Sequence, residues 1–268
     1  MAAPGATTGG ARPALLDAAK PPRESLGGGG ANAWVRRKLA SPNNVIERTI
    51  DQAQVVAGTK KLPPVPWPEA IAWRTVMRSK FDNHLDEMAV KAGATLLQST
   101  PVESVVLDDR KNVNGVKTTN RGILRSKVVV GCDGVSSVVA KTAGFWTKWF
   151  GNDTKKWRER CAYCTEAHFK LPDKEIDKRI GNTLHLFYER GLMGYHWIFP
   201  KKGILTAGTG CATIGMRKKP VSYFNDFTKG NPIAVRILEG AKLTGEVKGA
   251  YIPLSGTFTP TYGDGVLL

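Results

Sequence analysis

Apolar and polar positions alternate in short bursts along most of this chain, and only a few segments switch to helical spacing. Ala14-Leu15-Leu16-Asp17 reads as a short buried strand ending in an acid. A helix is expected around Asn32–Leu39, stopped near Pro42. Residues 44–62 alternate as extended structure, and Pro63, Pro64, Pro66 and Pro68 mark an irregular crossing. The clearest helix is Ser79–Gly93, where Phe81, Leu85, Met88 and Ala89 recur at helical spacing and Gly93 closes it. Thr95-Leu96-Leu97 begins another strand. Val102–Leu107 and Gly115–Thr118 read as paired strands around the polar turn Asp108–Asn114.

Leu124–Val130 leads into Val128-Val129-Val130-Gly131-Cys132-Asp133-Gly134. Three β-branched residues in a row predict a buried strand, broken by a glycine-bounded turn that carries an acid. After Gly144 the texture changes. Trp146–Trp157 is aromatic and basic, and 161–170, 183–189, 194–199 and 203–213 predict a series of antiparallel strands. Helices are expected at Ser222–Thr228 and Pro232–Gly240. The chain stops at Gly265-Val266-Leu267-Leu268 in an apolar strand, where a domain more often ends in polar, exposed residues.

Composition narrows the class. Length 268, 41% hydrophobic residues and 29 glycines fit an α/β or α+β protein of one large or two modest domains. No apolar run is long enough for a transmembrane helix, and the N-terminus lacks the pattern of a secretory signal. The net charge of +16 favours anionic partners: phosphorylated cofactors, anionic lipid surfaces or nucleic acid, though no nucleic-acid motif accompanies it. Solubility alone explains such a charge equally well. Cys161-Ala-Tyr-Cys164 is a lone CxxC with no second pair or suitably spaced histidines, so reduced thiols are expected rather than a metal or redox site.

The acid-bearing glycine turn is the most informative candidate for chemistry. Its glycines permit close backbone approach to a ligand, and the Asp133 carboxylate can accept hydrogen bonds from hydroxyls. A plain strand-end turn would look similar. Gly27–Gly30 is either a flexible linker or a backbone surface laid against a ligand. Tyr195, Trp197 and Phe199 alternate and so share one strand face, which suits either an apolar ligand wall or a packed core. His196 faces the other way and reads as structural.

Taken in order, these segments resemble the geranylgeranyl reductase family, within the larger group of flavin monooxygenase-like oxidoreductases. Ala14–Asp17 followed by Pro22-Arg23-Glu24 and Gly27–Gly30 resembles the end of the second Rossmann strand and the glycine loop after it. Arg78-Ser79-Lys80-Phe81-Asp82 resembles the arginine-led helix start, and Gly131–Ser137 the Asp-Gly motif. Gly194-Tyr195-His196-Trp197-Ile198-Phe199-Pro200 resembles the Tyr-x-Trp-x-Phe-Pro segment of the reductases in particular.

The resemblance implies an α/β, overall α+β, fold: an incomplete Rossmann-like FAD-binding domain and an antiparallel-sheet substrate domain. The implied division is 1–150 for the FAD domain, with an extended insertion near 44–73, then 151–258 for substrate, with 259–268 starting the return strand. It implies FAD as cofactor, with NADPH or another reductant as electron donor. It implies Asp17 on the adenosine ribose, Gly28 and Gly29 beside the isoalloxazine or substrate, and Arg78 on phosphate or ribitol oxygens. Asp133 and Gly134 would meet the ribitol, and Tyr195, Trp197 and Phe199 the isoprenoid chain. Substrates would be geranylgeranyl groups of lipids, chlorophyll precursors or quinones. The implied setting is cytoplasmic, peripheral to an anionic membrane, with no nucleic acid as partner. No general acid is identifiable, and the oligomeric state is open.

The departures shape a second expectation. The family's GxGxxG turn would fall before Met1, its Gly-Asp segment after Leu268, and the cysteine common before the glycine loop is here Leu26. The chain is therefore expected to be the middle of a flavoprotein. Two further readings stay open: a flavin-dependent aromatic hydroxylase of the same fold, and an inactive fragment or basic lipid- or nucleic-acid-binding remnant.

Overall fold

The computed structural model describes residues 12–23, 25, 27–32, 43–68, 72–151, 153, 156–254, 256 and 258–268. The chain divides into two compact units. The first lies within 1–23, 82–159 and 255–268, and the second within 24–81 and 160–254. The segment 24–81, expected in the first domain, thus packs in the second unit. The helix expected at 32–39 falls, beyond Asn32, outside the described residues.

In the first unit, Ala14–Leu16 pairs in parallel with Thr95–Leu97. Val102–Leu107, Val113–Thr118 and Gly122–Arg125 form an antiparallel meander. Its first turn is tied by Asp108, whose carboxylate accepts from the amides of Arg110 and Asn112 at 2.9 and 2.8 Å. Val129–Val130 pairs in parallel with Val266–Leu267. Val105, Val113, Val116, Val129, Val139, Phe145 and Val266 make one apolar cluster. The valine run is corrected in one respect. Only Val129 is buried, while Val128 and Val130 are exposed, because a strand sends alternate side chains to opposite faces. The helix Arg78–Lys91 follows its predicted span closely and ends before Gly93.

The second unit is built on an eight-stranded sheet. Its main path runs Lys242–Pro253, Cys161–Lys170, Ile204–Ala212, Gly194–Lys201, Thr183–Tyr188, Gln52–Ala57 and Lys60–Lys61, and Val65–Pro66 also pairs with Gln52–Ala57. Neighbours are antiparallel except Thr183–Tyr188, which runs parallel to Gln52–Ala57. That long-range pairing is what recruits residues 52–57 into this unit. One sheet face presents Ala167, Phe187, Ile198, Leu205 and Ala207 to Phe224, Phe227, Ala234 and Ile237 of the helices Pro220–Gly230 and Pro232–Leu238. The opposite face packs Leu184, Trp197 and Phe199 with Ile50, Trp67 and Trp73. A three-stranded sheet of Gly30–Ala31, Trp73–Val76 and Ile46–Ile50 belongs to the same unit. The buried Thr75 hydroxyl donates to the Pro200 carbonyl at 2.8 Å, fixing that sheet to the strand Gly194–Lys201.

Candidate functional site

The strand pairing brings three rows of side chains onto the Trp197 face. Cys164, Gly210 and Tyr195 are cross-strand partners, then Glu166, Gly208 and Trp197, then His168, Thr206 and Phe199. The middle row explains its glycine. A Cβ on Gly208 would lie 2.1 Å from the Trp197 ring, so the indole lies across that position. Gly210 leaves room beside it for the Cys164 sulfur, 3.1 Å from where a Cβ would stand. The aromatic rings follow one another along the strand, with centroids 5.8 Å apart from Tyr195 to Trp197 and 6.4 Å from Trp197 to Phe199. Trp197 and Phe199 are buried, whereas Tyr195 is exposed.

The glycine loop closes over this row. A Cβ on Gly28 would stand 2.7 Å from the Phe199 ring and 3.2 Å from Trp197 Nε1. At Gly29, with φ +71°, it would lie 2.1 Å from the Val76 carbonyl oxygen and 3.0 Å from Nζ of the fully buried Lys201. Arg78 reaches the same loop, since a Cβ on Gly27 would be 2.8 Å from its guanidinium. Gly28, Gly29, Arg78, Trp197 and Phe199 are therefore neighbours in one unit.

Sequence reasoning passed over Glu166, Lys201, Gly208 and Gly210. Glu166 is buried; its Oε1 accepts from the Gly27 amide at 3.4 Å and lies 3.8 Å from His168 Nε2. Its Oε2 and the Trp197 Nε1 are buried and have no hydrogen-bond partner among the described residues. An acid inside the largely buried strand Cys161–Lys170, and two glycines in step with Trp197, were the available signals. Burial, then the Glu166 charge, pushes the Cys164 thiol up to about 11, so it holds its proton at neutral pH. Cys161 and Cys164 are an odd number of residues apart in one strand and face opposite ways, so they cannot close on a common ion. His196 packs as expected on the helix-covered face: it stacks on Phe227 at 4.4 Å, and its Nδ1 pairs with the Thr209 hydroxyl at 2.7 Å.

Asp17, Asp133 and Gly134 lie in the first unit. Asp17 ends its strand, accepts from the Ala19 amide at 2.9 Å and pairs with Arg23 at 2.6 Å. Asp86 nearby is raised above the ordinary carboxyl range by burial, opposed by Arg23. The Asp133 carboxylate accepts from the Ser137 hydroxyl and from the amides of Val138 and Val139 at 2.7 and 3.2 Å. It thus helps seat the helix Val138–Thr142, whose N-cap is Ser137. Asp133 and Gly134 are exposed, and a Cβ on Gly134 would meet nothing within 4 Å.

The first unit thus holds a strand-end acid beside an open glycine, and a second acid ending a parallel strand. The chain belongs to the FAD-binding domain family, whose model matches residues 32–165, half of its length. Among curated proteins it is 30% identical over 239 residues to digeranylgeranylglycerophospholipid reductase 1 of Methanococcoides burtonii, covering 86% of this chain and 50% of that protein. It is 32% identical over 197 residues to the digeranylgeranylglycerophospholipid reductase of Methanocaldococcus jannaschii, covering 72% and 46%. The chain thus spans about half the length of these relatives. Its fold is that of a geranylgeranyl bacteriochlorophyll reductase-like protein of Thermoplasma acidophilum, with a TM-score of 0.82 at 19% identity over 99% of this chain and 66% of that one. The expected mixed α/β fold and flavoprotein family are borne out.

Proposed function

We propose that this chain carries flavin- and substrate-contacting parts of a reductase that adds hydrogen across carbon–carbon double bonds of isoprenoid chains. The observation that carries this reading is the row Tyr195, Trp197 and Phe199, laid under the loop Gly27–Gly30 in a chain whose relatives bear that reductase name. An apolar chain binds by removing its surface from water; Tyr195 is the exposed ring of the row, with Trp197 and Phe199 buried behind it under the loop.

The residues present fit FAD in part. Asp133 is exposed, and the space around Gly134 is open, which suits acceptance of a ribitol hydroxyl. A carboxylate offers about four acceptor positions, and three are used within the protein. Arg78 would contribute a guanidinium to phosphate or ribitol oxygens. Asp17 would meet the adenosine ribose only by sharing its carboxylate with Arg23. FAD, when bound and reduced, would supply the hydride for such a reduction, with NADPH or another reductant as the electron source. The task left to this chain's residues is to orient the double bond and exclude water. Glu166 and Trp197 supply one buried acceptor and one buried donor beside the loop for a polar group of the ligand. Among the described residues no helix is long and apolar enough to cross a membrane.

The test is to purify the chain, load it with FAD, and incubate it anaerobically with chemically reduced flavin and a geranylgeranylated phospholipid. Retained flavin and a product gaining two hydrogens per reduced double bond support the reading. A folded chain that retains flavin but leaves the lipid unchanged, and forms a long-lived oxygen adduct with air, points to the hydroxylase instead.

A further inference from the structure

We infer that the second unit carries a docking surface for anionic lipid bilayers at the outer end of the aromatic row. Two turns meet there. The turn before Gly194–Lys201 ends at Met193, and the turn Thr213–Gly215 follows Ile204–Ala212. They are held together by the Ala212 amide donating to the Met193 carbonyl at 2.8 Å, and a Cβ on Gly215 would stand 2.6 Å from the Met193 sulfur. Met193 is 53% exposed, Ile214 67% and Tyr195 42%. Each turn also carries exposed cations: Arg190 in the first, and Arg217 and Lys219 directly after the second.

Charge complementarity decides what this surface fits. Lys218 is engaged by Asp226 and lies over the Tyr223 ring at 4.5 Å, so it and its acid largely cancel. Glu189 accepts from Asn231 at 3.0 Å and lies 3.6 Å from His196 Nε2. Counting the Glu189 carboxylate against Arg190, Arg217 and Lys219 leaves an excess of positive charge near the apolar tips. Apolar side chains ringed by cations suit the boundary between headgroups and acyl chains, where each cation adds to attraction for an anionic leaflet. Tyr195 belongs both to this surface and to the row that continues through Trp197 to Phe199. A lipid held here would have its chain at the start of that row. This last link rests on the reductase reading; the docking itself does not.

The test is sedimentation of the full chain with vesicles of phosphatidylcholine alone and of phosphatidylcholine mixed equally with phosphatidylserine. The parent is expected to bind the mixed vesicles, and to lose that binding in high salt. Met193→Ser with Ile214→Ser, and separately Arg217→Glu with Lys219→Glu, should each weaken it at least about tenfold. Ile123→Ser, an exposed apolar position in the first unit, should leave it unchanged. Circular dichroism checks that every variant is folded. A folded parent that ignores anionic vesicles, or double variants that bind as the parent does, would overturn the inference. So would a parent dimer that the Met193/Ile214 variant dissociates, since the surface would then belong to a second copy. Vesicle binding requires neither flavin nor turnover, so loss of the reductase reading leaves this result standing, and the converse holds.

Discussion

In the loop Gly27–Gly30, the space each missing side chain leaves is taken by the protein: by Arg78, Phe199, the Val76 carbonyl and Trp73 in turn. At Gly134 the corresponding space is open. Both turns look alike as strings of small residues, and the resemblance implies the ribitol at Asp133 and Gly134 and the isoalloxazine or substrate at Gly28 and Gly29. The first needs glycine because a sheet face and a strand edge press against it. The second needs glycine for its backbone, at φ +82°. A turn whose glycines are explained by internal packing carries less information about a ligand than one whose glycine faces open space. The Asp133–Gly134 turn is thus the better flavin candidate of the two, and the loop is better understood as the roof over Trp197 and Phe199.

The largest expected effect tests that roof. Gly29→Ala combines a left-handed backbone with a contact of 2.1 Å to a carbonyl that cannot step aside. It should cost about 3–5 kcal/mol of stability, read by urea unfolding of the whole chain. A loss under about 1 kcal/mol would mean the loop is not seated as described, and the comparison would fail at its first term.

Acid should weaken the second unit through His185. Burial pushes its imidazole down from 6.5 to about 4, partly opposed by the Thr183 carbonyl, which lies 3.4 Å from Nδ1. Between those values the unfolded chain binds a proton that the folded one refuses. The stability from the neutral ring is complete above pH 6.5 and is lost as pH falls toward 4, amounting to about 3 kcal/mol. His185→Gln should flatten that part of the stability–pH curve, and an unchanged slope would remove His185 as its cause.

Gly208→Ala reaches the roofed row from beneath. The added methyl would displace the Trp197 indole, at about 1–3 kcal/mol, with a change in tryptophan emission. If the chain accepts the methyl without an optical change, the indole does not lie across the sheet at Gly208.

Much of this architecture was legible locally. The helix Arg78–Lys91, the meander around Asp108 and the strands from Cys161 to Ala212 follow from periodicity and turn residues. The placement of 24–81 was not, because it depends on Gln52–Ala57 finding Thr183–Tyr188 more than a hundred residues later. No local pattern encodes that pairing. The same limit hid Glu166, Gly208 and Lys201. Each acquires meaning only from its cross-strand partner or from the loop above it, whereas the shared face of Tyr195, Trp197 and Phe199 needs only the two-residue period of one strand.

The smallest effects fall on the open turn, and there stability and binding should separate. Asp133→Ala removes the acceptor for one hydroxyl and two amides at the start of Val138–Thr142, and should cost about 1–2 kcal/mol. Gly134→Ala meets no atom and carries only the backbone penalty, about 1 kcal/mol. If the turn served the fold alone, flavin retention by each folded variant would match the parent. If Asp133 receives a ribitol hydroxyl, Asp133→Ala should lose flavin at least about tenfold more readily, the worth of one charge-assisted hydrogen bond. Titrating FAD into folded parent and variant distinguishes the two, and equal affinities would reduce Asp133 to a helix-seating residue.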